Sequence, residues 1–264
     1  MSGNKILKIL LAVAIFATIG ATAVSAYATA DSFRNPLASY VIADGYRFGN
    51  VVGSVYHSGE DLRATHLTLV YPIAKGIVKQ SQTGSSTYGS VIVMEHTLPD
   101  GSKIISIYGH LNKTSVIPLL IGTEITDITK PIAKIGYQYE NGAPKYPEHL
   151  HFGIKKGEYK GLYEGNVPLS GLSNFNKPSD YLNLIRAVNT PEVYRLANLG
   201  NKVWVSSSST FNSCGWRWDD IRPVSVAERN SHSTSFGSPC FAAGTFIKRA
   251  NNPDIYSLAK RIPI

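Results

Sequence analysis

The sequence predicts a mainly β fold: an antiparallel β-sheet or sandwich-like domain, followed by a small repeat-containing C-terminal domain. Short runs rich in Val, Ile, Tyr and Thr alternate with turn residues from residue 41 to about residue 156, which is typical of strands joined by hairpins. No long stretch of this region has the apolar period of a helix. An internal repeat with an offset of 62 residues then marks the C-terminal part as a separate unit.

Four segments of the first region predict strands. Residues 90–96 and 104–108 are apolar runs on either side of residues 98–101, whose Pro and Gly predict the turn of a hairpin. Residues 132–136 and 149–154 are two further predicted strands. Together these segments predict an antiparallel sheet.

The N-terminal segment predicts a targeting sequence. Lys5 and Lys8 precede an apolar run from residue 9 to about residue 24, and small residues follow, ending at residues 28–30. A positive start, an apolar middle and an Ala-x-Ala site predict a secretory signal peptide over residues 1–30. An uncleaved membrane anchor is the alternative, because the run is nearly long enough to span a bilayer. Both interpretations place the rest of the chain outside the cytoplasm.

The predicted organisation has three parts: residues 1–30 as the leader, residues 31–182 as the first domain and residues 183–264 as the C-terminal repeat module. The boundary follows residues 177–180, where Pro, Ser and Asp predict a turn. The two copies of the repeat match position by position, and Asn189 corresponds to Asn251. Such a repeat is the mark of a modular array.

Cys214 and Cys240 are the only cysteines of the chain. In an oxidising compartment they can form a disulfide, which would contribute ~3–4 kcal/mol in the chain-entropy model. Two reduced, buried cysteines that pack as small apolar side chains are the alternative. Neither is predicted to bind a metal, because the chain has no Cys-x-x-Cys spacing.

The C-terminal part carries most of the net charge of +8, because its ten Lys and Arg residues oppose five Asp and Glu residues. For an exported protein this excess predicts an anionic partner surface such as a cell wall, not nucleic acid, and simple solubility is the alternative. Trp204, Trp216 and Trp218 also lie here and are expected to form the core of a small domain. A glycan- or wall-binding face is the second interpretation of these tryptophans.

Four of the seven histidines fall in three short motifs. The motifs are His57-Ser58-Gly59-Glu60-Asp61, Tyr108-Gly109-His110-Leu111 and His149-Leu150-His151. Residues two apart on a strand point to the same face, so His149 and His151 should project together, while Leu150 and Phe152 face the core. Two imidazoles and a carboxylate commonly hold a catalytic zinc, which keeps its fourth position for water. Each motif is unspecific alone, whereas the set is specific.

Residues 40–156 resemble the lysostaphin-type zinc endopeptidases, which cut peptidoglycan peptides. The similarity extends beyond the histidines to residues 71–78, 88–96 and 132–136, and it covers nearly the whole first domain.

The resemblance implies a role for each motif residue. His57, Asp61 and His151 would be the zinc ligands. His110 and His149 would be the catalytic histidines, which handle the proton of the zinc-bound water and stabilise charge in the transition state. Which histidine is the base and which the stabiliser stays open.

The implied function is that of an exported zinc metalloendopeptidase, periplasmic, cell-wall-associated or secreted, which hydrolyses peptide cross-links of peptidoglycan. A non-enzymatic wall-binding or regulatory protein on the same fold is the alternative, and the complete set of site residues argues against it. The peptide bond that is cut stays open. No nucleic acid partner is expected, and a membrane is a partner only if the N-terminal segment is uncleaved.

Several residues near the motifs depart from the family pattern or lack a role in it. Some family members use an additional tyrosine, and Tyr46 and Tyr56 lie near the first motif without a clear correspondence. Glu148 is expected to be a solvated surface carboxylate, with a hydrogen bond to a ligand as the alternative. Glu60 is expected to face solvent. The remaining histidines are expected to be structural or exposed: His66, His96 and His232.

Overall fold

A computed structural model describes residues 27–85, 88–116, 121–137, 139–140, 143–144, 147–161, 165–197, 199–240, 246–248 and 255–257. Most of the predicted leader, residues 1–26, lies outside these described residues, so its cleavage or anchoring stays a prediction. In the part of the chain that the structure describes, no helix is long and apolar enough to cross a membrane.

The described residues form a succession of mostly short strands with five short helices between them. The strands are β1 (Val51–Val52), β2 (Val55–His57), β3 (Gly59–Arg63), β4 (Leu69–Val70), β5 (Gly76–Ser85), β6 (Gly89–Thr97), β7 (Lys103–Gly109), β8 (Glu124–Ile125), β9 (Ala133–Lys134), β10 (Tyr139–Glu140), β11 (Ala143–Pro144), β12 (His149–Lys156), β13 (Asn166–Val167), β14 (Phe175–Asn176), β15 (Leu184–Ala187), β16 (Val193–Leu196), β17 (Lys202–Val205), β18 (Arg222–Val224), β19 (Phe246–Lys248) and β20 (Ile255–Ser257). The helices are α1 (Lys113–Val116), α2 (Leu169–Leu172), α3 (Pro178–Asn183), α4 (Ser208–Ser213) and α5 (Val226–Ser231), with one 3-10 helix at Trp218–Asp220.

The largest element is a seven-stranded sheet in the order β14-β12-β7-β6-β5-β8, and β3 pairs with β12 on the same side as β14. Every pair in it is antiparallel. The mainly β, antiparallel fold predicted from the sequence is therefore confirmed. The long strands β5, β6, β7 and β12 form the middle of the sheet, and the shorter strands β3, β8 and β14 pair along its edges.

The predicted hairpin is present as β6 and β7, in which Met94 lies opposite Ser106. Its turn closes with a hydrogen bond from the Gly101 amide to the Leu98 carbonyl, at 2.9 Å, and Gly101 has a positive φ of 81° that suits glycine. The predicted strand at 149–154 is also present, within β12. The segment at 132–136 forms only a short strand, since the two residues of β9 pair with β4 and Ile135 forms an isolated bridge with Leu111.

The sheet is covered on both faces, so its middle strands have few polar positions. In β6, Ile92 and Met94 join one apolar cluster, while Val91 and Val93 join a second cluster on the opposite face. Burying each such side chain contributes about 1.5–3 kcal/mol. Leu150 and Phe152 of β12 are fully buried in the first cluster. The alternate residues of β12, His149 and His151, therefore project from the other face, as the sequence predicts.

A second sheet in the order β17-β16-β15-β18 follows in the chain. It packs on an apolar cluster that includes Leu184, Val205 and Phe211. A disulfide joins Cys214, at the end of α4, to Cys240. Of the two alternatives open for these cysteines, the disulfide is the one present.

The two copies of the sequence repeat form hairpins with the same register. Leu184 lies opposite Arg195 in the first copy, and Phe246 lies opposite Ser257 in the second, each position shifted by 62 residues. The boundary near residue 182 stays a prediction. Residues 177–180 are not a turn: they begin α3, with Pro at the first helical position, where its missing amide costs nothing.

The 3-10 helix that precedes β18 of the second sheet contacts the first sheet through a buried carboxylate. Asp220 is fully buried and accepts a hydrogen bond from the Lys177 amide at 3.0 Å. Arg217 lies 3.2 Å from the same carboxylate and donates to the Phe175 carbonyl on β14 at 2.7 Å. Burial raises the pKa of Asp220 to about 6. These contacts fasten the 3-10 helix to the end of the first sheet.

Candidate metal centre

Strand register brings the three predicted zinc ligands together. His57 is the last residue of β2, Asp61 lies in the middle of β3, and His151 lies in β12. Asp61 and His151 are directly opposite each other in the β3–β12 pair. Directly paired residues on neighbouring strands have side chains about 4.5–5.5 Å apart at Cβ, so their polar ends can meet.

The ligand atoms of these residues form a small triangle. His57 Nε2 lies 3.0 Å from His151 Nδ1, and Asp61 Oδ1 lies 3.2 Å from the former and 3.0 Å from the latter. All three side chains are buried. Buried polar side chains are retained only when they are paired or bind a metal.

The protonation of the triangle suits a cation. Burial alone would raise the pKa of Asp61, but its contacts with His151 and His57 outweigh burial and hold that pKa well below its usual range. Burial lowers the pKa of His151, so its imidazole is neutral at physiological pH. His57 Nδ1 faces the Arg47 carbonyl at 3.3 Å, which can only accept, so the lone pair of His57 is left on Nε2.

Zinc fits this donor set. Two neutral imidazoles and one carboxylate are ligands that zinc takes in catalytic sites. Ligands bound at ~2.0–2.1 Å in a tetrahedral arrangement lie about 3.3 Å from one another. The triangle, with sides of 3.0–3.2 Å, is close to that size. Its residues could hold the ion with only small side-chain movements.

The two predicted catalytic histidines border the triangle. His149 Nε2 lies 3.4 Å from Asp61 Oδ2, and His149 Nδ1 lies 2.7 Å from the Pro147 carbonyl. The His110 ring is centred 4.5 Å from the His149 ring. The structure thus brings all five predicted site residues into one cluster.

The backbone of His110 is in the left-handed region, with φ of 60°. Its amide donates to the Tyr88 carbonyl and its carbonyl accepts from the Gly136 amide, each at 2.9 Å. Such a conformation costs of order 1–3 kcal/mol in a non-glycine residue and persists only where surrounding contacts impose it. Burial, then the charges of His149 and His151, lower the pKa of His110 to about 3.

A cavity of about 690 Å³ opens over this cluster. Tyr46 lines it and Tyr56 does not, which separates the two tyrosines that the sequence leaves equivalent. The Tyr46 carbonyl also accepts from the Asp61 amide at 3.0 Å, so the cavity wall is joined to a triangle residue. Glu148 lines the same cavity as a half-buried side chain.

The expectation that Glu60 faces solvent is wrong. Glu60 is fully buried. It accepts hydrogen bonds from the Tyr40 hydroxyl at 2.6 Å and from Ser179, through its amide at 3.0 Å and its hydroxyl at 2.7 Å. The reason is that residues 59–63 form a strand, not a tight turn, so Glu60 points away from Asp61 into the sheet's covered face.

Two positions of the site have no room for a side chain, which the sequence alone did not reveal. A Cβ on Gly59 would lie 2.5 Å from the Phe152 carbonyl and 2.8 Å from His151 Nε2. A Cβ on Gly109 would lie 2.5 Å from the Tyr88 ring. Both glycines lie inside the first and second histidine motifs, and this position could have indicated that they allow two segments to approach closely, as only glycine permits.

The remaining histidines lie away from the triangle. His96 is fully buried, where it pairs with the Ser106 hydroxyl and the Lys75 carbonyl, both at 2.7 Å. His66 stacks on Tyr137, with ring centres 3.7 Å apart. His232 pairs with a backbone carbonyl at 2.8 Å. These positions confirm the expectation of structural or exposed side chains.

Comparison with known proteins identifies the domain around this cluster. Residues 55–162 match the model of Peptidase family M23 and contain all five clustered residues. The match spans less than half of the chain and covers the part that holds the cluster. No curated protein matches the chain.

Several solved structures are similar in part. The solution structure of lysostaphin is 21% identical with a TM-score of 0.40, and the match covers 58% of this chain and 53% of that one. The antimicrobial peptidase lysostaphin from Staphylococcus simulans is 20% identical with a TM-score of 0.39, covering 60% and 55%. A zinc containing peptidase from Vibrio cholerae is 23% identical with a TM-score of 0.38, covering 48% and 37%. The chain spans about half the length of the two lysostaphin chains.

Proposed function

We propose that this protein is an exported zinc metalloendopeptidase that hydrolyses peptide cross-links of bacterial peptidoglycan. The observation that carries the proposal is the convergence of His57 Nε2, Asp61 Oδ1 and His151 Nδ1 within 3.2 Å of one another, inside a peptidase family M23 domain. Peptidoglycan as the substrate rests on the resemblance of residues 40–156 to lysostaphin-type endopeptidases.

In this proposal His57, Asp61 and His151 hold the zinc. The ion, when bound, would polarise the scissile carbonyl and lower the pKa of water to about 7. The contact of His57 Nδ1 with the Arg47 carbonyl would fix the ring so that Nε2 faces the ion. The Asp61 carboxylate would reduce the net charge of the site.

His149 is the proposed proton acceptor. The Pro147 carbonyl can only accept a hydrogen bond, so His149 Nδ1 carries the proton and Nε2 keeps a lone pair that faces the cluster. His110 would then stabilise charge that develops on the substrate. It would do so as a neutral hydrogen-bond donor, because burial lowers the pKa of the His110 imidazole.

Residues 31–182 form the proposed peptidase domain and residues 183–264 the C-terminal module. We propose that the leader is cut after residue 26, earlier than the sequence alone suggested. Ala30 is fully buried, and its amide donates to the Thr97 carbonyl at 2.8 Å. A cut after Ala30 would remove these contacts of the first sheet, whereas a cut after Ala26 would keep them.

The test measures bound zinc and digestion of purified peptidoglycan on residues 27–264 and on His151→Ala. We expect one zinc per chain and a loss of turbidity in the parent, with both lost in the variant. His232→Ala is the matched control, because His232 lies away from the cluster and should leave both properties unchanged. Absence of zinc from the unmutated protein, or digestion that survives His151→Ala, would overturn the proposal.

A further inference from the structure

A second cavity, of about 300 Å³, lies in the C-terminal module. We call it the tryptophan groove; it is lined by Trp204 of β17, Trp218 of the 3-10 helix, residues of the intervening segment and residues 191–193. Trp204 is 53% exposed and Trp218 is 51% exposed. Both values contradict the expectation that these tryptophans form a core, and only Trp216 packs against the apolar cluster of the module.

The exposed indole of Trp218 is held in place by contact with a buried aromatic side chain. Trp218 stacks on Phe211 with ring centres 4.1 Å apart and planes inclined by 23°. Phe211 is fully buried and also contacts Trp216 edge-on. One face of Trp218 is therefore covered by the protein, and Trp218 also lines the groove. Large aromatic side chains left in contact with water, two in one concavity, mark a binding site.

The groove also has a polar edge. Ser206 and Ser208 are exposed, and their hydroxyls have no hydrogen-bond partner among the residues that the structure describes. The Ser207 hydroxyl, in contrast, caps α4 by accepting from the Thr210 amide. Aromatic walls with a few hydroxyl groups match the two surfaces of a sugar ring, whose C–H faces pack on indoles and whose hydroxyls form hydrogen bonds.

The charge of the groove selects among polymers. Of the described residues that line it, Glu192 alone is charged, although the region as a whole is basic. A carboxylate repels an anionic polymer and accepts hydrogen bonds from hydroxyl or amide groups. The groove therefore favours a neutral ligand.

From these features we infer that the tryptophan groove binds a neutral saccharide, a short stretch of N-acetylated amino-sugar chain. The aromatic walls and the serine hydroxyls of the groove are the observations that indicate a saccharide as the ligand. The choice of an N-acetylated sugar rests on the proposed function, because the glycan of peptidoglycan is the sugar polymer beside the proposed peptide substrate. The site would hold the enzyme on the glycan while the histidine-lined cavity acts on the peptide.

The chain's own tryptophans provide the readout, because all three lie in this module. Residues 27–264 are titrated with the N-acetylglucosamine tetramer, and tryptophan emission is followed. We expect a saturable change in the parent, with binding weakened at least about tenfold in Trp204→Ala and in Trp218→Ala, as for a central aromatic contact. Phe236→Ala is the matched control, since Phe236 is 98% exposed outside the groove and its removal should not alter binding.

Each outcome decides the inference. No saturable change in the parent, or equal binding in both tryptophan variants, overturns it. Tighter binding of a glucose tetramer overturns the choice of an N-acetylated sugar, and a response to an anionic wall polymer alone overturns the saccharide class. The ligand contains no peptide, so His151→Ala should bind it like the parent. Binding without peptidase activity would thus support the inference while the proposed function fails, and the reverse result would do the opposite.

Discussion

The proposed metal ligands of the histidine-lined cavity are buried polar side chains, whereas the tryptophan groove presents exposed apolar ones. In the first, His151 and its partners are placed by strand register, so the backbone decides whether the site exists. In the second, Trp204 and Trp218 project from an edge strand and a 3-10 helix into water. Changes near the first cavity should therefore affect folding and function together, and changes in the groove should affect binding alone.

The largest effect should come from Gly59→Ala. The new methyl group would meet the Phe152 carbonyl and His151 at under 3 Å, so β3 and β12 must separate at the metal site. We expect zinc binding to be lost and the free energy of unfolding to fall by about 3 kcal/mol, within the range known for overpacked sites. Urea unfolding and zinc content measure both.

Gly153→Ala is the matched control for this change. Gly153 lies directly opposite Gly59 in the same strand pair, but a Cβ there meets nothing closer than 3.5 Å. It should keep its zinc and most of its stability. Equal behaviour of the two variants would mean that close approach at Gly59 does not govern the site.

The next effect concerns acid stability. Burial lowers the pKa of His96 from 6.5 to about 4 in the folded protein. The unfolded chain therefore binds a proton here at a higher pH, so the contribution of His96 is complete above pH 6.5 and is lost as the pH falls towards 4. The loss should reach about 3 kcal/mol.

Urea unfolding of the zinc-free protein across this pH range checks the effect. His96→Gln removes the titrating group and keeps an amide able to reach Ser106 or the Lys75 carbonyl. We expect a shallower decline of stability with falling pH in this variant. Parallel pH curves for parent and variant would contradict the assignment to His96.

A somewhat smaller effect should follow Glu60→Gln. The buried Glu60 carboxylate accepts from Tyr40 and twice from Ser179, and an amide offers a donor where these donors point. We expect a loss of about 2 kcal/mol in the free energy of unfolding. Zinc should stay bound, because Glu60 and Asp61 point to opposite faces of β3.

Tyr40→Phe removes one of the three hydrogen bonds to Glu60 and should cost about half as much. Thermal unfolding of both variants beside the parent provides the measurement. A Glu60→Gln protein as stable as the parent would show that the buried carboxylate does not join these segments.

The smallest effect should be that of Trp204→Ala on stability, within about 0.5 kcal/mol, because the side chain is half exposed. Trp216→Ala should cost about 2 kcal/mol, since Trp216 packs against the module's apolar cluster and against Phe211. Urea unfolding compares the two. Equal losses would remove the distinction between a binding and a structural tryptophan.

Local spacing predicted only one part of the histidine cluster, the common face of His149 and His151. The resemblance to lysostaphin-type endopeptidases supplied the rest, because His57 and Asp61 lie 94 and 90 residues from His151 in the chain. The two-residue spacing of His149 and His151 on one strand fixes their common face, and the structure has it so. Glu60 was misjudged because its partners, Tyr40 and Ser179, are 20 and 119 residues away in the chain. Local spacing cannot reveal such partners.

The prediction that the tryptophans form a core was wrong for a related reason. Burial tendencies describe an average side chain, whereas exposure of Trp204 depends on its strand lying at the sheet edge. The hairpins of the repeat were detectable because sequence similarity preserves register. The packing of the C-terminal module against the first sheet depends instead on contacts such as that of Asp220 with Lys177.

The left-handed backbone of His110 affects how its variants must be interpreted. Replacing His110 with alanine has two effects at once: it removes the imidazole, and it places at a positive φ a residue that tolerates this conformation less well than histidine. Asparagine and glycine adopt positive φ with little penalty and so isolate the chemical contribution of the ring. A mutational scan based on alanine alone would overstate the importance of His110 relative to His149, because backbone strain would be counted as catalysis.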